Sequence, residues 1–484
     1  CQFTAEETAF LFFYEQGKTS YRQKYIEADF AGDILELPAG TMSGTFGFAY
    51  REEALNDTPG IQAQNSNYWG LTTAGITKGD DSIKEAFLEL GVPVLKGLPL
   101  AERLDFTVSG RYSDYKSYGD STTYKAAVNW AITKEWRVRA SEGTSFRAPG
   151  LYELYLGNQL GFLGQSAIDP CYDYSDSTNT TLIANCASQG IPDNYLSANL
   201  TTGTPYSSAQ VYSGGGAGIL EAETSKNRTV GLIWTPSFDK LQVAIDFFET
   251  KIDNQITQFG AANILSACYT STNLSSPFCS LFQRDLAAGS STQFMITSVN
   301  NNYVNVAEQF MRGFDLTLNY EHAFGPVKMR IESENSFIRK WTYRLLDGSD
   351  TEDYLLFGVG YPEYVGNLNT RFDYKDYTLN WNVVMVGESS VFDYYEQNCY
   401  SGTLYGVSGQ NYCYDMNTEF YANHNVSLRK RFDNWSVTAT VRNLLDESPP
   451  LISSGTATRL GNAALTSQYD FFGRAFTLQV SRRW

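Results

Sequence analysis

A period-two alternation of apolar and polar residues recurs along most of this 484-residue chain, and it constrains the fold more than any other feature. Successive side chains of a β-strand point to opposite faces, so such a run makes one apolar and one polar face. From Arg103 to Tyr115, Leu104, Phe106, Val108, Gly110 and Tyr112 alternate with Arg103, Asp105, Thr107, Ser109 and Arg111. Tyr124, Ala126, Val128, Trp130 and Ile132 oppose Thr123, Lys125, Asn129 and Thr133, and Trp136 and Val138 oppose Glu135, Arg137 and Arg139. The same pattern sets Phe314, Leu316, Leu318 and Tyr320 against Asp315, Thr317, Asn319 and Glu321. It also sets Val327, Met329 and Ile331 against Lys328, Arg330, Glu332 and Glu334, and Trp435, Val437, Ala439 and Val441 against Ser436, Thr438, Thr440 and Arg442.

A soluble sandwich also alternates, with its apolar face inward, and the connections separate the two. They alternate strictly between short and long. Short ones are expected at 37–40, 96–99, 133–135, 236–239, 323–326, 374–376 and 432–434, and long ones near 54–81, 150–220, 260–304, 346–361, 394–419 and 449–469. Tight turns on one side and extended loops on the other characterise transmembrane barrels. With 33 Tyr, 30 Phe and 8 Trp the chain is rich in aromatics, yet its mean hydropathy is only -0.31. It carries no apolar run of the ~18 to 20 residues that a spanning helix needs. A membrane chain without such a run satisfies its backbone by closing a sheet. The fold class expected is therefore all-β, a transmembrane antiparallel barrel.

About fifteen strands are expected, the first and last both running towards the short-turn side. An odd number does not close an even-stranded bacterial barrel, so further strands are expected on the N-terminal side, and the strand ending at Trp484 should pair with one preceding Cys1. By parity, Trp130, Trp136, Trp234, Trp381 and Trp435 should face lipid, while Arg137, Arg139, Lys328, Arg330, Glu332 and Glu334 should face a polar lumen. The final strand, Phe476, Leu478 and Val480 alternating with Thr477, Gln479 and Ser481 and stopping at Trp484, resembles the signal read by the outer-membrane assembly machinery.

Net charge of -17 argues against nucleic acid as a partner, because phosphates need a basic face. Six of the seven cysteines form short-range pairs within long connections, Cys171 with Cys186, Cys268 with Cys279 and Cys399 with Cys413. They are expected to be disulfides of an oxidising compartment, worth roughly 2 to 4 kcal/mol each. With only His322 and His424 in the chain and no CxxC, zinc is not indicated. For Cys1 three readings stay open: a lipidated N-terminus, half of a disulfide to a residue preceding the chain, or simply the first residue of this sequence. There is no signal peptide, so the true N-terminus is expected upstream.

Several segments together resemble the TonB-dependent receptor family. They are Gly32-Asp33-Ile34-Leu35-Glu36-Leu37-Pro38-Ala39-Gly40 with Ala49-Tyr50-Arg51-Glu52-Glu53, and Thr144-Ser145-Phe146-Arg147-Ala148-Pro149 with Leu151-Tyr152-Glu153-Leu154-Tyr155. Val441-Arg442-Asn443-Leu444-Leu445-Asp446 with Pro449-Pro450 completes the set. The resemblance implies a barrel of 22 strands around an N-terminal plug, of which the chain holds about 15 strands as one partial barrel domain, 1–484. It also implies coupling to the TonB-ExbB-ExbD complex through a plug and TonB box, a bed of outer-membrane lipids, and active import of a bulky solute. Oligosaccharide, Fe³⁺-siderophore, peptide and cobalamin all suit it, and a passive porin or barrel-based adhesin is the alternative.

Enzyme signatures are absent: there is no G-x-S-x-G, H-E-x-x-H or P-loop, and no cofactor is indicated. Gly214 to Gly218 reads as a flexible surface loop. The acidic run 347–353 offers hard oxygens for Ca²⁺ but lacks EF-hand spacing, so a solvated loop is expected. Arg147 is expected to serve structure, bonding lumen neighbours where Pro149 ends its strand. Loop aromatics are the candidates for stacking on a ligand: Tyr152, Tyr155, Phe162, Tyr172, Tyr174, Tyr394, Tyr395, Tyr400, Tyr405 and Tyr412. Each could equally pack its own loop or form part of an interfacial girdle.

Overall fold

A computed structural model describes residues 3–68, 73–193, 195, 208–238, 240–344, 353–354, 356, 358–390, 399–404, 407–413, 417–452 and 468–483. For 307, 353–354, 399–404 and 407–413 it describes the backbone alone. Fifteen strands form one continuous antiparallel sheet in strict chain order. They are β1 Lys18–Leu37, β2 Gly40–Thr58, β3 Thr77–Leu98, β4 Ala101–Tyr115, β5 Gly119–Ala131, β6 Trp136–Arg147, β7 Glu223–Trp234 and β8 Lys240–Gln258. The wall continues with β9 Tyr303–Phe324, β10 Val327–Arg344, β11 Tyr364–Tyr374, β12 Tyr377–Val386, β13 Tyr421–Arg431, β14 Trp435–Arg442 and β15 Ala475–Arg482. A two-residue strand, Asp353–Tyr354, adds to β10. Among the described residues β1 pairs only with β2 and β15 only with β14.

Register carries the alternation across the sheet. Phe106 lies opposite Val128, Val128 opposite Ala140, Ala140 opposite Val230, Val230 opposite Phe247, Phe247 opposite Phe314 and Phe314 opposite Phe337. A one-residue slip would put each side chain on the wrong face, so this chain of partners defines one apolar surface. Trp130, Trp136, Trp234, Trp381 and Trp435 belong to it, paired with Leu104, Trp234, Val243, Val426 and Arg482. At the turn end the aromatics cluster. Trp136 stacks on Trp234 at 5.7 Å, Trp130 Nε1 donates to the Leu100 carbonyl at 2.9 Å, and Lys430 lies 4.9 Å over both Tyr377 and Phe432. An apolar body with a polar tip suits the membrane–water interface.

The opposite face is ionic. Arg139 on β6 makes a bidentate pair with Asp246 on β8, both bonds 2.7 Å, reaching across β7 where Gly231 stands between them. A Cβ at Gly231 would lie 1.9 Å from Asp246 Oδ1, so a side chain there would displace the carboxylate from Arg139. On the adjoining strands β9 and β10, Arg330 pairs with Glu321 directly opposite it.

About 9 to 11 residues suffice for a strand to cross a bilayer, yet β1, β2, β3, β8 and β9 have 20, 19, 22, 19 and 22. Their loop ends therefore stand clear of hydrocarbon, and there the outer face turns ionic, with Lys24–Glu52 at 3.4 Å and Arg228–Glu142 at 2.7 Å. Expected loops shorten accordingly: 54–81 reduces to 59–76. The expectation of strict short–long alternation fails once. On the loop side β4 and β5 are joined by residues 116–118 alone. The reason is local: Asp81 of β3 accepts from Ser117 N at 3.1 Å and Ser117 Oγ at 2.6 Å, and the Tyr115 and Tyr118 rings meet at 4.8 Å, so the turn is held by its neighbour.

The long connections 148–222 and 259–302 fold together into a cap. Its four-stranded sheet runs in the order Phe282–Arg284, Ile296–Asn300, Ser208–Ser213, Gln159–Gly164. Two helices pack on one side of the cap core. In Ala261–Tyr269 the buried residues Ala261, Ile264, Leu265 and Cys268 recur at helical spacing. Thr180–Ser188 is N-capped by Asn179, which accepts from Thr181 N and Leu182 N at 3.0 Å. Cys171–Cys186 and Cys268–Cys279 are bonded within this core.

Candidate functional site

The cap is fixed to the wall at the end of β6. Pro149 ends the strand, and the Arg147 side chain turns back to bond Glu153 at 2.8 and 3.0 Å and Glu223 at 2.6 Å. Glu223 also accepts from Ile256 N at 2.8 Å. Arg147 thereby joins β6, β7 and the helix Leu151–Tyr155 through charge-assisted bonds. Gly214 to Gly216 complete the joint and correct the expectation of a flexible loop. Gly215 N donates to Leu156 O at 3.0 Å, Gly216 N to Glu153 O at 2.9 Å, and Tyr303 N to Gly214 O at 3.1 Å. These glycines are present because two backbones meet there: a Cβ on Gly215 would lie 2.2 Å from the Leu154 carbonyl oxygen. Gly215→Ala is expected to loosen the cap by about 1 to 3 kcal/mol through overpacking. Gly161→Ala, whose Cβ meets nothing nearer than 3.8 Å, should change little. Limited proteolysis of the cap in the two variants checks this, and equal resistance would refute it.

Beside this joint, the loop end of the polar face holds a hollow of about 530 Å³ lined by Arg51, Glu53, Asp81, Glu85, Arg111 and Arg147 among others. Glu85 accepts from Arg111 at 3.3 Å and Ser113 at 2.6 Å. A second hollow of about 490 Å³, at the turn end of the same face, holds Lys240, Lys328, Arg330 and Arg371 with Glu321 and Asp373. Both present paired charges to the interior. In the cap a third cleft of about 410 Å³ lies over the small sheet.

The loop aromatics divide by what they touch. Tyr152 is 45 % exposed and accepts from Gln159 Nε2 at 3.4 Å. Tyr155 fills the space left by Gly79 and donates to Asp80 O at 3.2 Å. Tyr172 and Tyr174 flank the cap core, and Tyr174 donates to Ile191 O at 3.0 Å. Phe162 is exposed on the small sheet. Tyr394, Tyr395 and Tyr405 lie outside the described residues, as do Cys1, Trp484 and 347–352. Tyr400 and Tyr412 are register partners in a two-stranded ribbon, described by backbone alone, in which Cys399 lies directly opposite Cys413. Phe476, Leu478 and Val480 line the apolar face of β15, at 76, 71 and 56 % exposure. The sequence reading missed Gln210, Tyr212, Gln283, Ser298 and Asn300, which share the solvent face of the cap sheet. Alternation of buried Ala209 and Val211 with Gln210 and Tyr212 was the available signal.

The cap's polar centre is a buried ion pair. Arg284 donates to both oxygens of Asp169 at 2.7 and 2.6 Å, to Tyr269 Oη at 2.7 Å and to Phe294 O at 2.6 Å, with the side chains 3 % and 0 % exposed. Tyr195 donates to the same carboxylate. Burial opposes the charge on Arg284, yet the Asp169 hydrogen bonds and charge hold it above the ordinary guanidinium value. Burial, then the Asp169 charge, push the Tyr195 phenol up.

A wall with one apolar face, one ionic face and an aromatic band at its turn end defines a transmembrane β-barrel of the outer-membrane kind. The family model for "TonB dependent receptor-like, beta-barrel" matches residues 3–444, and the chain belongs to that family of outer-membrane proteins. Solved structures share the fold. A mutant of the ferric enterobactin receptor PfeA from Pseudomonas aeruginosa, in complex with enterobactin, is 16 % identical at a TM-score of 0.60, over 96 % of this chain and 54 % of that one. The siderophore receptor PirA from Acinetobacter baumannii is 14 % identical at 0.56, over 95 % and 55 %. The outer membrane transporter YddB from Escherichia coli is 11 % identical at 0.56, over 97 % and 55 %. The chain thus spans about half the length of these structures.

Proposed function

We propose that this chain is the outer-loop and wall portion of an active importer that binds a scarce, bulky solute at its cap and passes it through the barrel. The carrying observation is the cap itself: a disulfide-bonded subdomain clamped by Arg147 over an ionic interior face. A passive pore has no use for a folded, rigidly seated receptor at its mouth. Membership of the TonB-dependent family supports energy coupling through TonB, ExbB and ExbD, and the siderophore receptors among the similar structures support a small-molecule ligand. Among the described residues the outer edges of β1 and β15 have no strand partner, and in hydrocarbon each exposed backbone group would cost several kcal/mol. We therefore read residues 1–484 as part of a barrel closed by further strands around a plug, with lipids outside and the assembly machinery recognising the final strand.

The test is solute accumulation in cells that carry the intact protein, with and without TonB, using iron-loaded enterobactin and neutral hexasaccharides as probes. Accumulation of a probe is expected to fall to background without TonB. Entry at the same rate in both strains would mark a passive channel instead.

A further inference from the structure

The cap cleft differs in chemistry from the other hollows. Those on the wall are lined with Arg, Lys, Asp and Glu. The cap cleft is bounded by Asn158, Tyr212, Gln283, Ser298, Asn300 and Asn302, with Ser280, Leu281, Phe282 and Val299 completing it, and not one of these is ionisable in the physiological range. That is unexpected in a chain with 53 acidic and 36 basic residues. Register explains how the cleft forms. Val211 faces the core, so its neighbours Gln210 and Tyr212 face outward, and Ser298 and Asn300 lie directly opposite them on the parallel partner strand. Gln283 lies opposite Ser298 on the other side. Tyr212 presents a ring 38 % exposed, its hydroxyl tied to Gln210 Oε1 at 2.7 Å, with exposed Phe162 on the neighbouring strand. The side chains of Asn158, Gln283, Ser298, Asn300 and Asn302 make no hydrogen bond to another described residue.

We propose that this cleft binds a neutral oligosaccharide as the first contact of the imported solute, an assignment that rests on the import reading above. A sugar hydroxyl both donates and accepts, and a carboxamide offers both functions on one planar group. A pyranose also has an apolar C–H face that packs on an aromatic ring. Three asparagines, a glutamine and two serines around Tyr212 supply this combination. An anionic iron chelate needs Arg or Lys at its carboxylate or catecholate oxygens, and the cleft has neither. Its volume falls within the ~300 to 1,000 Å³ of small-molecule sites. Fixed disulfides and the Arg284–Asp169 pair beneath the sheet hold these side chains in place before a ligand arrives, which lowers the ordering cost of binding.

Calorimetric titration of the intact protein in detergent with maltohexaose, cellohexaose and xylohexaose, and with ferric enterobactin as the anionic counter-probe, tests the assignment. At least one neutral hexasaccharide is expected to bind, and Tyr212→Ala and Gln283→Ala each to weaken it about tenfold or more. Asn300→Ala is the second line of test, because truncating an exposed side chain with no described protein partner leaves the cap folded; it should also weaken binding. No binding by any hexasaccharide, binding unchanged in all three variants, or binding of ferric enterobactin alone would overturn the assignment. TonB-dependent uptake of iron-loaded enterobactin that Tyr212→Ala leaves unchanged would sink the sugar cleft and keep the importer. Sugar binding lost in Tyr212→Ala, with no TonB-dependent uptake of any probe, would do the reverse.

Discussion

Arg284→Ala is expected to unfold the cap while leaving the wall intact. The guanidinium carries five hydrogen-bonding protons, and Asp169, Tyr269 and Phe294, from three parts of the two connections, accept four hydrogen bonds from it. Removing it strands the Asp169 carboxylate, 0 % exposed, with Tyr195 Oη and Cys171 N as its remaining partners. Breaking one side of a buried ion pair costs about 3 to 5 kcal/mol, mostly from the uncompensated charge. Hydrogen exchange should accelerate across Ala261–Tyr269 and Thr180–Ser188, and strands β4 to β9 should remain protected. Replacing both partners, Asp169→Leu with Arg284→Met, should cost less than either single change because no charge is left alone. Unaltered exchange in Arg284→Ala, or a double variant worse than the sum of the singles, would show that the pair does not hold the cap.

Loss of the Cys171–Cys186 bond is the second large effect expected. It closes 15 residues around the turn that carries Asp173 and Tyr174 into the helix Thr180–Ser188, and both sulfurs are fully buried. On the loop-closure estimate, releasing a ring of that size costs about 3 kcal/mol. In Cys171→Ala with Cys186→Ala, protease should cut the cap at 172–180 far faster than in the parent protein. Removing Cys268–Cys279, which spans 11 residues, should cost slightly less. Equal cutting in parent and variant would mean that packing, with Ile168, Leu182 and Leu265 around the sulfurs, is sufficient without the bond.

The wall was legible because its rule is local. Whether Phe106 or Thr107 faces lipid follows from parity, and parity needs no knowledge of partners. Turns such as Gly325-Pro326 and Lys375-Asp376 were equally readable, since Gly325 and Lys375 adopt positive φ at tight reversals. The cap was not legible in this way. Strands of six, five and three residues are too short for a period to show, and two of them pair in parallel across 88 residues of chain, Ser298 with Gln210. Nothing near Gly215 in sequence says that Leu154 will lie against it, which is why a glycine run looked flexible and proved to be packed.

What the sequence determined by itself is therefore the membrane-facing fold class: alternation, turn spacing and cysteine placement each act over a few residues and leave few alternatives. Tertiary structure alone decided that two separate connections share one core, that Arg284 finds Asp169 from 115 residues away, and that an uncharged cleft forms where their outward faces meet. These depend on long-range pairing. Its free energy comes from burial and hydrogen bonds made only after the chain has closed on itself, and no local pattern records it.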